Sequence, residues 1–266
     1  MATILAISSH VARGSVGLAA TVPALQWLSH EVWAVPTVLL ASRPGLGRPA
    51  RYDLPPGDLA ATLAALEEDG CWSRLDAVLT GYFPSPQSVV VAAEAVSRIR
   101  QTAPGIPVLV DPIIGDGGKL YVAEGTAAAI RDALLPLATI ATPNLFELTW
   151  LTGTSAHDQA AVADAARALG PATVVVTSAS ETPDSVTTFV VARGQAIRRS
   201  VPRRLSLPNG AGDLLAGLYL GYLLRGHDPA ATLEASLTDL DRVLAASTGR
   251  DVLSLPALRA PGESAV

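Results

Sequence analysis

Short β-rich apolar runs separated by alanine-rich helical stretches constrain this chain more than any other feature. The runs are Ile4–Ser8, Val32–Leu40, Ala77–Phe83, Val108–Ile114, Thr139–Thr142, Thr173–Ser178 and Thr188–Ala192. A strand that is apolar along its whole length is covered on both faces, and strands that alternate with helices are joined by crossovers. The pattern therefore predicts an α/β fold: a three-layer, mostly parallel central sheet with helices on both faces. With 266 residues, 49% of them hydrophobic, the chain has enough apolar material for one large core. Repeats and long linkers are absent, so a single domain over residues 1–255 is expected, with a Pro/Gly-rich loop over Pro44–Gly57 and a loose tail over 256–266.

The firmest boundaries are two helix starts, Ser85-Pro86 before Gln87–Arg100 and Asp228-Pro229 before Ala230–Ala246; each sets an N-cap oxygen ahead of an N1 proline. Acidic residues outnumber basic ones by 24 to 19, which gives a formal charge of −5 and argues against nucleic acid or an anionic membrane surface as partner. The apolar stretch Leu214–Leu224 is too short to span a bilayer. Cys71 is alone and cannot form an internal disulfide, which fits a reducing cytoplasm. Small-molecule chemistry is what remains.

In open α/β sheets ligands bind at the carboxyl ends of strands, so the residues just after each apolar run carry the functional reading. Pro208-Asn209-Gly210-Ala211-Gly212-Asp213 is a small-residue turn opening into an apolar helix; its glycines admit close backbone approach, and the helix N-terminus offers unpaired N–H groups to an anion. An aspartate there is also an ordinary first-turn helix stabiliser. Thr142-Pro143-Asn144-Leu145-Phe146-Glu147 sets Asn144 and Glu147 one turn apart, a spacing that serves a capping box equally well. Asp111-Pro112-Ile113-Ile114-Gly115-Asp116 leaves a buried strand for a glycine loop with two carboxylates, hard oxygen donors suited to Mg2+. Thr173–Ser178 ends in two hydroxyls, a weaker signal.

Gly-Ala-Gly-Asp before an apolar helix resembles the signature of the ribokinase superfamily, and the other three segments follow in that superfamily's order. The resemblance implies a kinase that moves the γ-phosphoryl group of ATP onto an alcohol. Asp213 would then be the general base, and the Gly210, Ala211 and Gly212 turn would hold the migrating phosphoryl group. Asp111, Tyr121, Asn144, Thr177 and Ser178 would contact ATP. Asp111, Asp116, Thr142 and Glu147 would surround Mg2+, with room for a monovalent cation such as K+. Such a reaction asks for alignment and charge neutralisation, which these segments supply.

From Ser9 to about Ala246 the chain looks most like the pyridoxal kinase family, whose Ser-His-Val segment resembles Ser9-His10-Val11. The family implies a B6 vitamer as substrate, phosphorylated on its hydroxymethyl group, a substrate site built from Ser9, Val16, Arg43 and Tyr82 within a Ser9–Gly17 loop and Thr80-Gly81-Tyr82, and a homodimer. His10 itself reads better as a satisfied interior histidine. The family's Ser-Asn-His-Thr-Gly loop is Ala41-Ser42-Arg43-Pro44-Gly45 here, a departure where specificity is expected. Arg193, Arg198, Arg199, Arg203 and Arg204 read first as a solvated charged hairpin, with an ATP lid as the other role.

Other chemistries fit less well. Gly45-Leu46-Gly47-Arg48-Pro49-Ala50 matches a dinucleotide fingerprint, yet its prolines forbid the helix that would hold a pyrophosphate. Gly118-Lys119 lacks the rest of a Walker loop. A hydroxymethylpyrimidine or sugar kinase of the same fold is the competing enzyme, and a protein that binds vitamin or nucleotide without turnover is the competing non-enzyme.

Overall fold

The computed structural model describes residues 1–43, 45–46 and 50–258. In chain order its first half contains β1 (Thr3–Arg13), α1 (Leu18–Trp27), β2 (Glu31–Ser42), β3 (Arg51–Asp53), α2 (Pro56–Glu68), β4 (Ala77–Thr80), α3 (Pro86–Thr102), β5 (Val108–Val110), β6 (Gly115–Asp116) and β7 (Lys119–Leu120). There follow α4 (Glu124–Ala129), β8 (Ile140–Ala141), α5 (Leu145–Thr152), α6 (Gln159–Ala168), β9 (Thr173–Glu181), β10 (Ser185–Ala192), β11 (Gln195–Pro202), α7 (Ala211–Leu224) and α8 (Pro229–Ser247). Among the described residues no helix is long and apolar enough to cross a membrane.

The main sheet has nine strands in the order β11-β10-β9-β8-β5-β4-β1-β2-β3, and its mostly parallel character is what the alternation of runs predicts. From β9 to β2 all neighbours are parallel; β10, β11 and β3 add antiparallel edges. Alternate residues of each central strand enter opposite cores. Ile4, Leu79, Leu109, Ile140 and Val175 pack beneath α1, α7 and α8, while Leu5, Ile7, Val78, Val108 and Val110 pack beneath α2, α3 and α4. This double coverage is the physical reason the strands read as unbroken apolar runs rather than as alternation. A third cluster, around Leu148, Val162, Val176 and Phe189, seats α5 and α6.

Both proline-preceded caps form: the Ser85 hydroxyl accepts from the Ser88 N–H at 3.2 Å, and Asp228 accepts from the Ala231 N–H at 2.8 Å. Several expectations need correction. Strand β1 runs on to Arg13, so Ser9–Arg13 extend the sheet and only the residues from Gly14 to Gly17 form a loop. The runs Ala77–Phe83 and Val108–Ile114 pair only as far as Thr80 and Val110, because beyond them the chain turns into the ligand edge. The supposed glycine loop after Ile114 is a tight β6–β7 hairpin around Gly117-Gly118. His10 is half-buried in β1, and the satisfied interior histidine is instead His30, which bonds the Ala2 N–H at 3.2 Å and the Gly221 carbonyl at 3.0 Å. Of the expected tail over 256–266, residues 256–258 belong to a short turn, Leu255–Leu258, with Leu258 buried, and 259–266 lie outside the described residues, as do Pro44 and Gly47–Pro49.

Candidate active site

After β1 the chain crosses over α1 to β2 on one side of it, then returns to lay β4 on the other side. Where the order reverses, the loops after β1 and β4 part and leave a crevice at the carboxyl ends of the strands. Into it run the Gly14–Gly17 loop, the Gly81-Tyr82 step, the exit of β5 and the starts of α1 and α7.

Two helix N-termini meet there. The N-caps are glycines, Gly17 for α1 and Gly210 for α7, both with positive φ, and neither helix has a side-chain cap. Contact explains the choice at least as much as conformation: a Cβ on Gly17 would stand 2.2 Å from the Ser9 carbonyl, and one on Gly210 1.8 Å from that of Ser15. In α7 the first intrahelical bond is donated by Leu214 to the Gly210 carbonyl, so the Ala211 and Gly212 amides have no acceptor within the helix. Gly212 faces open space. This is an anion cradle with the positive ends of two helix dipoles on it.

Asp213 sits half-buried between them. Burial pushes its carboxyl up to about 6, against the pull of N–H groups from Gly17 and from Asp213 itself. The Thr21 hydroxyl of α1 donates to the Asp213 carbonyl at 3.2 Å, so α1 grips this residue at both ends. Across the crevice is Asp111, buried, with a carboxyl held well above the ordinary range first by burial and then by the charges of Glu147 and Asp213. The Thr142 hydroxyl lies beside Asp111 and opposes that shift, yet it has no partner in full hydrogen-bond geometry.

Asn144 and Glu147 form the capping box: Asn144 Oδ1 accepts from the Glu147 N–H at 2.9 Å and Glu147 Oε2 from the Asn144 N–H at 2.9 Å. They also tie α5 to the hairpin. Glu147 Oε1 accepts from the Ile114 and Gly115 N–H groups at 2.8 and 3.3 Å, and Asn144 Nδ2 donates to the Gly115 carbonyl at 2.8 Å. Burial is the main cause that drives Glu147 up to about 7, against those amides. The motif is thus both the cap and the wall of the acidic pocket, and the two roles share the same two side chains through different atoms.

The remaining expected residues fall around this centre. Asp116 is exposed on the hairpin, caps the Gly117 N–H at 2.7 Å, and adds its charge to Glu147 and Tyr121. Tyr121 is exposed and donates its N–H to the Ile114 carbonyl at 2.7 Å. Thr177 bridges to Asn144, and Ser178 takes a positive φ of 47° within β9. On the other side of Asp213, Ser9 is buried against Gly17, Val16 is half-buried, and Tyr82 takes its N–H to the Ser8 hydroxyl at 3.1 Å and its carbonyl to the Thr37 hydroxyl at 2.7 Å. Arg43 donates from Nε to the Asp251 carbonyl at 2.8 Å.

Sequence reading missed the C-terminal strap. Arg13 pairs with Asp251 at 3.3 Å, the Ser15 hydroxyl reaches the Leu253 carbonyl at 3.4 Å, and Leu253 packs beside Gly210. These contacts join residues more than 200 positions apart and leave no local signal. Three arginines of the expected charged hairpin are paired: Arg199 with Glu234 at 2.5 Å, Arg203 with Glu181 at 3.3 Å, Arg204 with Asp241 at 2.8 Å.

A profile of the family described as phosphomethylpyrimidine kinase matches residues 13–250. A pyridoxal kinase PdxY of Corynebacterium diphtheriae is 35% identical over 260 residues, 94% of this chain and 92% of that protein. The chain belongs to the pyridoxal kinase family. A pyridoxal kinase PdxY of Granulibacter bethesdensis is similar at 37% identity over 89% of this chain and 87% of the other. The solved pyridoxal kinase of Entamoeba histolytica superposes with a TM-score of 0.90 over 97% of this chain and 96% of its own at 24% identity, which speaks to the ribokinase-like fold alone. That of Leishmania donovani in complex with ADP and pyridoxamine reaches 0.88 at 26% identity, over 96% and 94%. Fold and family are those expected from the motifs.

Proposed function

We propose that this member of the pyridoxal kinase family transfers the γ-phosphoryl group of ATP to the hydroxymethyl group of a B6 vitamer. The observation that carries the mechanism is the Asp213 carboxyl held between two uncapped helix N-termini and facing the Asp111–Thr142–Glu147 cluster. Relatives matched over most of their length support the substrate class, among them the Leishmania donovani enzyme in complex with ADP and pyridoxine.

Asp213 takes the hydroxymethyl proton as the oxygen attacks, since a carboxyl near 6 is ionised at neutral pH yet basic enough to accept it. The Ala211 and Gly212 amides meet the charge that gathers on the equatorial oxygens of the migrating group. Ser9, Val16, Tyr82 and Arg43 line the substrate side. Tyr121, Asn144, Thr177 and Ser178 line the nucleotide side with Asp111.

The cluster fits Mg2+. Buried Asp111, within reach of the charges of Glu147 and Asp213 and beside the unpartnered Thr142 hydroxyl, offers hard oxygens short of positive charge. Among the described residues no three His, Cys, Asp or Glu side chains stand close enough to cage an ion by themselves, the donor set of a cation that keeps its waters and binds largely through phosphates. Asp111, Thr142 and Glu147, with Asp116 at the rim, would hold it there, where it neutralises phosphate charge. A monovalent cation, a homodimer and a cytoplasmic location follow from the family resemblance and the lone cysteine.

A coupled ADP-release screen over pyridoxal, pyridoxine, pyridoxamine, hydroxymethylpyrimidine and several sugars tests the proposal. ADP release that depends on a B6 vitamer is expected; release only with hydroxymethylpyrimidine or a sugar rejects the substrate. A ligand-induced melting shift without ADP rejects the enzyme.

A further inference from the structure

Strands β1, β2 and β3 project past the end of β4: Thr80 pairs with Ile7, whereas β2 pairs with β1 as far as Ser42 and with β3 through Val38–Leu40. The projection overhangs the crevice. Its register sets Arg51 opposite Leu40 and Val11, and Asp53 opposite Val38. Val11 and Val38 are buried while the alternating pair Leu39 and Tyr52 is exposed, so Arg51 stands on the closed face. Three strand spacings, about 14 Å, separate β3 from β4. Yet Arg51 Nη2 donates to the Tyr82 hydroxyl at 3.4 Å, so the two side chains arch over the ends of β1 and β2 from opposite banks.

Asp53 accepts from Arg51 Nε at 2.6 Å and fixes the guanidinium in that position. The Nη1 donors have no partner among the described residues, and the side chain is about half exposed. A guanidinium is all donor and no acceptor. What it can recognise is an oxygen, best an ionised one, on a ring lying against Tyr82.

We propose that Arg51 is a specificity-determining residue, which selects substrates whose aromatic ring bears a hydroxyl oxygen. This deepens the proposed function and rests on it, because the ring hydroxyl of a B6 vitamer is such an acceptor. It also assigns a polar contact to the crevice region where the family's loop is altered at Arg43-Pro44.

The test is steady-state kinetics of wild type, Arg51→Ala and Arg51→Lys with pyridoxine, with 3-deoxypyridoxine and with varied ATP. For Arg51→Ala, KM for pyridoxine should rise about ten- to hundredfold, with kcat, KM for ATP and the parameters for the deoxy compound nearly unchanged. Arg51→Lys should recover part of the loss, since it keeps the charge and loses the fork. Equal losses on pyridoxine and its deoxy analogue, or no loss on either, overturn the assignment and leave Arg51 a brace between strands. Wild type inactive on every B6 vitamer is a separate result, and it overturns the proposed function together with this inference.

Discussion

The edge and the centre of this sheet treat charge in opposite ways. At the β10–β11 edge, Arg199, Arg203 and Arg204 each have a carboxylate on α8 or β9, and the pairs lie at least partly in solvent. At the centre, Asp111, Glu147 and Asp213 crowd one crevice with no arginine or lysine among the groups that shift them, and all three are raised. Charge at the edge is already neutralised and solvated, so it contributes little either way. Charge at the centre is left uncompensated by the protein, an arrangement that costs stability and is sustained where a cationic ligand or a proton completes it.

That contrast can be broken by measurement. The largest effect belongs to Asp213→Asn, which should lower turnover by roughly 10²–10⁴ while nucleotide affinity, read by titration calorimetry, stays near wild type. The same substitution has a stability signature. Wild-type Asp213 rises from an ordinary 3.8 to about 6 on folding, so the folded state binds its proton more tightly and loses stability as pH rises through that window. Asp213→Asn should therefore melt at or above wild type near pH 8, with the difference fading toward pH 4. A variant that is less stable at pH 8 would place Asp213 with the paired charges.

Next in size is the pH profile. A base near 6 must be ionised, so kcat/KM should fall about tenfold per pH unit below about 6. A profile flat down to pH 4 would show that no such carboxyl acts. Third, Glu147→Ala strands the N–H groups of Ile114, Gly115 and Asn144, and urea unfolding should show a loss of about 2–4 kcal/mol. The smallest effect is expected at the edge: Arg199→Ala should change stability by less than about 1 kcal/mol and leave turnover alone.

Much of the site could be read from the chain because its parts are local. Gly210–Asp213 and Asn144–Glu147 are each a helix start, and a helix start brings together residues three or four apart by geometry alone. At Asn144 and Glu147 the capping box forms, and the same Glu147 carboxylate brings its charge to Asp111. What escaped reading is of the opposite kind. Strand β3 is three exposed residues with no apolar pattern, the β6–β7 hairpin has two residues per strand, and β11 is mostly exposed. None of these carries a periodicity of its own; each forms because a neighbour offers an unpaired edge.

The sequence alone determined the parallel sheet, the helix starts and the residue types at each strand exit, because burial on both faces and end-capping are written over spans of a few residues. Only the tertiary structure decided which exits face each other: that α1 grips Asp213, that Asp111 feels its charge, that Asp251 and Leu253 close over the β1–α1 loop, and that Arg51 reaches Tyr82. The reason is that strand order sets these encounters. Strand order follows from packing the whole set of helices and strands around two shared cores, and no short stretch of the chain encodes it.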